Sequence, residues 1–179
     1  MVYAVIGIVV CLLVVIWAIA TSNRFKVLIV KINESDSGID VALTKRYDTL
    51  TKMLDVVRAY AKHEVDAFTQ IVNLRAGMNT AEKTEVSKCM DEITRGINVL
   101  AEAYPELRSS ENFIRLKSAI SEAENHLQAA RRLYNSNVSA FNQSIIVFPA
   151  SIIANSQKHS TRDFFEADEM KRADVKMNF

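Results

Sequence analysis

His63 and Glu64 stand where an otherwise regular apolar stripe is interrupted, and a carboxylate facing a helical core is costly unless it is paired. If the first and third helices of the chain run parallel, Glu64, Arg131 and Tyr134 fall at similar heights, counted back from Gly77 and Phe148. The expected arrangement is a buried network of Glu64 with Arg131 or Tyr134 that fixes helix register, with a ligand or partner contact as the alternative. Metal chemistry has no such support. A di-iron bundle needs Glu-x-x-His on two helices, whereas the residues three before His63, His126 and His159 are Tyr60, Ala123 and Ser156. Three well-separated histidines do not suggest a zinc site either. Cys89 falls at or beside an apolar stripe, where a thiol behaves as a small hydrophobe rather than a nucleophile. Neither Gly-x-Gly-x-x-Gly, Gly-x-Ser-x-Gly nor a Walker motif occurs. No catalytic residue, cofactor, metal ligand or small-molecule substrate is therefore assigned. Tyr104-Pro105-Glu106-Leu107 reads either as a partner motif or, more simply, as a helix-terminating corner.

The elements that must position these residues are helices. Four Gly and two Pro in 179 residues are too few for the turns of a sheet protein. From Asp36, apolar residues recur at steps of three and four through Leu43, Tyr47, Leu50, Leu54, Val57 and Ala61, then Phe68 and Ile71. This period is coiled-coil-like and predicts a first helix running to about Ala76, with Gly77 as its stop. Asn79 and Glu82 have capping-box spacing for a second helix, whose stripe is Val86, Met90, Ile93, Ile97 and Leu100, ending near Tyr104-Pro105. A third starts around Ser110, carries Phe113 through Phe148 on its stripe, and breaks at Pro149. Ala150 to Ala154 adds a turn or two. The tail from Asn155 to Phe179 is polar, with Phe164, Phe165 and Met170 as docking points; its order is left open.

Val2 to Thr21 contains no charged residue and, at about 1.5 Å per residue, spans about 30 Å, a bilayer core. Tyr3 and Trp17 lie near its two ends, where aromatic rings prefer the interface. The rival reading is a cleaved signal peptide with Ala18-Ile19-Ala20 as its site, but the apolar core is long for one and the preceding charge is only the terminal amine. Arg24, Lys26 and Lys31 follow the span, which predicts the N-terminus outside and everything after about Asn23 in the cytoplasm. The fold expected is all-α: one N-terminal transmembrane helix (1–22), an antiparallel up-down bundle of three to four long helices (23–154), and the tail (155–179). With 22 Lys plus Arg against 21 Asp plus Glu, the basic excess of a nucleic-acid binder is absent. The two cysteines, Cys11 in the apolar run and Cys89 in the body, do not suggest a structural disulfide.

Five strings in register from about Phe25 to Ala154 resemble the signature of the LemA family of bacterial membrane proteins. They are Asp40-Val-Ala-Leu-Thr-Lys-Arg-Tyr-Asp48; Tyr60-Ala-Lys-His-Glu64; Ala101-Glu-Ala-Tyr-Pro-Glu-Leu107 with Asn112-Phe113; Ala130-Arg-Arg-Leu-Tyr-Asn135; and Phe141-Asn142 followed by Phe148-Pro149. The sequence departs from the pattern where Thr51-Lys52 replace a frequent Pro-Asn, easing a continuous first helix, and where Phe25-Lys26 stand near an expected Tyr-Asn. The resemblance implies a single membrane helix and an antiparallel helical domain, and no reaction. One branch of that family is associated with forming magnetosome membranes, so membrane organisation is what similarity suggests. The candidate structural or interaction residues are Arg46, Asp48, His63, Glu64, Tyr104, Pro105, Arg131, Tyr134, Asn135, Asn142 and Pro149, with Arg24, Lys26 and Lys31 as membrane-flanking bases. The expected function is a membrane-anchored, non-catalytic scaffold that self-associates or binds a protein partner. The alternatives are a membrane-remodelling or lipid-contacting factor and, more remotely, an enzyme with an unrecognised site.

Overall fold

The computed structural model describes residues 1–61 and 77–165. All regular structure among them is helical: α1 (Val2–Arg58), α2 (Thr80–Ala103), α3 (Pro105–Ser109), α4 (Glu111–Ile146) and α5 (Ala150–Ser156). The described residues fall into two units, one made of Met1–Ser37 with Arg132–Phe164, the other of Gly38–Arg131 with Phe165.

In the first unit the opening stretch of α1 has the composition of a membrane span. Its most apolar 18-residue window has a mean hydropathy of 3.0 and none of it is buried. Among the described helices it alone is long and apolar enough to cross a bilayer. Further along, Phe25 and Ile32 of α1 and Val138, Phe141 and Ile145 of α4 are all buried. Asn137 of α4 spans the pair, its amide donating to the Lys31 carbonyl at 3.1 Å and to Ser35 Oγ at 3.2 Å. The chain beyond α5 is tied down by side chains. Gln157 donates to Ser22 Oγ at 2.7 Å, and the His159 ring meets Phe25 and Phe141 edge-on, with centroids 5.5 and 5.8 Å away. Asn142 closes a two-point pairing with the Arg162 backbone, its Nδ2 donating at 2.9 Å and its Oδ1 accepting at 2.8 Å.

In the second unit α1, α2 and α4 share one core. Leu50, Met53 and Val57 pack with Met90, Ile93 and Ile97 and with Phe113 and Ile120, closed off by Leu107 of α3. All but Met53 and Leu107 belong to the stripes read from the sequence, whose Tyr47 and Leu54 are only partly buried against this core, and each helix forms because it buries one continuous apolar face. The Asn79 carboxamide accepts from the Glu82 amide at 2.9 Å while the Glu82 carboxylate accepts from the Asn79 amide at 2.8 Å, so the capping box forms. Tyr104 caps α2, Pro105 opens α3, and α4 begins at Glu111.

Three expectations are corrected. The first helix does not run unbroken to Ala76: α1 ends at Arg58, with Ala59 and Tyr60 in a turn. Their amides bond the carbonyls three residues back, at 3.2 and 3.0 Å, which tightens and ends the helix. Nor do the first and third stripes run parallel. Asp40 pairs with Lys83 and Arg46 with Asp91, so α1 and α2 ascend together; α4 returns from the α3 corner and runs against both. Phe148, assigned to the α4 stripe, lies outside it and exposed, because α4 stops at Ile146 and the chain bends by 96° into α5.

Candidate functional site

Arg46 occupies a core position on α1, three residues after Leu43 and four before Leu50, and is 1% exposed. A guanidinium tolerates such a site because its fork of donors can be filled from several directions. One terminal nitrogen donates to the Ser87 carbonyl at 3.4 Å and to Ser87 Oγ at 3.2 Å. The other pairs with Asp91 and, at 2.9 Å, with Glu124 Oε1. Arg46 thereby joins three helices at one level, leaving only its buried Nε–H without a partner among the described residues.

Lys83 is the second buried cation, also 1% exposed, with its ammonium 2.8 Å from Asp40 Oδ1. Arg131 of α4, half-buried, is a third cation here. It donates to Ser87 Oγ and lays its guanidinium over the Phe165 ring, 4.6 Å from the centroid, a cation–π contact. Ser87 is the pivot, its hydroxyl accepting from both arginines. Arg46 and Arg131 thus share Ser87, Arg46 reaches Asp91 and Glu124, and Lys83 pairs with Asp40 one turn of α2 before Ser87. The chemistry of this network is that of a register lock, because each ion pair and hydrogen bond ties a residue of one helix to a residue of another.

Near this network, Lys45 pairs with Glu122 on the surface at 2.8 Å, and the hydrogen bond from Lys45 holds the Glu122 carboxyl below its ordinary range. Burial, then Glu92 and Glu85, push the Cys89 thiol up, which suppresses the thiolate. Among the described residues no cluster of His, Cys, Asp and Glu could hold a metal ion.

Of the residues singled out in the sequence, Arg46 and Arg131 are brought together at Ser87. Tyr134 is buried in the first unit and donates to the Asp163 carbonyl at 3.3 Å. Asn142 is the clamp on Arg162, Asn135 is half-buried, and Asp48 is exposed. Tyr104 and Pro105 form the α2–α3 corner, and Pro149 follows a cis peptide at the α4–α5 bend. Arg24, Lys26 and Lys31 are exposed on α1 and make no ion pair among the described residues. His63 and Glu64 lie outside the described residues, and with them the Glu64 end of the expected network. Sequence reasoning missed Lys83, Ser87, Asp91 and Glu124. A signal existed for the first two, since Lys83 and Ser87 continue the three-and-four spacing of Met90, Ile93 and Ile97 toward the start of α2.

The model of the LemA family matches residues 35–179, a stretch that includes every member of this network. The chain belongs to the LemA family. It is 28% identical over 150 residues to Protein LemA of Metamycoplasma hominis, an alignment covering 81% of this chain and 68% of that protein. In this LemA-family chain the matched region begins at Ser35, after the apolar opening of α1.

Proposed function

We propose that this LemA-family protein is a membrane-anchored helical scaffold, non-catalytic, that assembles with a second copy of itself or with another protein. The observation that carries the reading is α1. One helix begins with a stretch apolar enough to span a bilayer and ends in the buried polar network of a helical core. A span supplies attachment, and long helices locked in register supply a fixed surface. The exposed bases Arg24, Lys26 and Lys31 after the span favour a cytoplasmic helical part and an external N-terminus. The absence of a catalytic role is part of the proposal: Arg46 is engaged with Ser87, Asp91 and Glu124 and Lys83 with Asp40, and burial raises the Cys89 thiol.

The test is light scattering of the full-length protein purified in mild detergent, across a wide concentration range. The scaffold reading expects a discrete oligomer, or a second protein co-purifying in fixed proportion. A lone monomer at every concentration contradicts it.

A further inference from the structure

Phe148 is 76% exposed at the bend between α4 and α5. Ile146, Val147 and Ile152 are exposed around it. Large apolar side chains clustered in water are costly to leave uncovered, and such patches mark contacts with membranes or partners.

The neighbours of this elbow identify its cover. Val147, Phe148 and Pro149 line a groove of about 450 Å³ whose facing wall is Trp17, Thr21 and Arg24 of α1. Ile152, on α5, shares a second groove with Ile19 and Lys26. These α1 residues close the uncharged stretch and open the basic one, where a spanning helix passes from hydrocarbon to headgroups. A side chain sharing a groove with Trp17 lies at the depth of Trp17. The 96° bend lays α5 across the direction of α4, as an interfacial segment requires.

We propose that the α4–α5 elbow is a second membrane-inserting element. Val147, Phe148 and Ile152 enter the boundary between acyl chains and headgroups in the leaflet where α1 emerges, and Arg24 and Lys26 beside them meet the phosphates of anionic phospholipids. The occupant of the patch is the bilayer itself. This inference rests on α1 being the membrane span.

The full-length protein is tested in vesicles of phosphatidylcholine and phosphatidylglycerol carrying brominated acyl chains. Trp17, the protein's single tryptophan, reports on the span. Trp17→Phe combined with Phe148→Trp, and separately with Ile152→Trp, reports on the elbow. The expected result is blue-shifted emission from position 148, quenching by bromine within about twofold of that at Trp17, and protection from aqueous iodide. Quenching at Trp17 with iodide-accessible emission from both elbow positions overturns the proposal and leaves the span standing. Elbow emission shielded from both quenchers also overturns it, and assigns the patch to protein. An unquenched Trp17 overturns the anchoring itself, and the elbow proposal with it.

Discussion

Replacing Arg46 by methionine keeps most of the side-chain stem in the core and removes the charge that joins α1 to α2 and α4. Removing one partner of a fully buried pair costs about 3–5 kcal/mol, because the other charge is stranded. Here the stranded groups are not fully buried: the side chains of Asp91 and Glu124 are 27% and 38% exposed and regain water. The Glu124 contact therefore counts on the scale of an exposed pair, below about 1 kcal/mol. Methionine also relieves the buried Nε–H that has no partner among the described residues, a defect of about 1–3 kcal/mol. The balance is a loss of about 2 kcal/mol, or a fall in Tm of about 4–8 °C for a protein of this size. Far-UV circular dichroism of the full-length protein in detergent measures it, with Asp91→Asn alone and combined with Arg46→Met. The two changes should couple by at least about 1 kcal/mol, and Glu124→Gln should cost less than Asp91→Asn. An Arg46→Met protein as stable as the wild type, with additive behaviour toward Asp91→Asn, refutes the register lock.

Asn79→Ala removes the α2 capping box and should cost about 1 kcal/mol in the same melt; no change would mean that the packing of α2 alone fixes its start. Glu122 ionises more readily folded than unfolded, so its contribution is present above the unfolded pKa and is lost as pH falls through the lowered folded value. Carbon-13 titration of Glu122 should show that midpoint moving up in Lys45→Gln, and an unmoved midpoint would contradict the cause. Cys89, held protonated mainly by burial, should react with iodoacetamide at mildly alkaline pH several-fold more slowly in the folded than in the urea-unfolded protein, as mass spectrometry can follow. Asn142→Ala should open the segment around Arg162 to trypsin several-fold faster, since both hydrogen bonds to the Arg162 backbone pass through Asn142; unchanged cleavage would make the pairing incidental.

The apolar opening of α1, the stripes of α2 and α4, the capping box and the Tyr104-Pro105 corner were legible because each depends on local composition or periodicity or on one residue's backbone chemistry. The end of α1 was not. Arg58 to Ala61 contains neither Gly nor Pro, so the apolar spacing passes through the point where the helix stops. Helix direction was hidden for the same reason, since a stripe specifies which face is buried and not which neighbour covers it. The acidic partners Asp91 and Glu124 were hidden among many interleaved Lys, Arg and acids. The better signal was positional: Arg46 stands in the run Ile39, Leu43, Leu50, Met53 and Val57, and Arg131 stands between Leu127 and Tyr134, both at core spacing. A cation at such a position needs carboxylates from neighbouring helices, and those partners emerge only from the fold.

The central claim, that this LemA-family protein acts by assembling with protein at a membrane, is tested most directly by crosslinking the full-length protein in intact cells and identifying everything captured in the membrane fraction. The account predicts either a ladder of homo-oligomers or one other protein in fixed proportion. Recovery of the protein uncrosslinked, or from the soluble fraction, would contradict it.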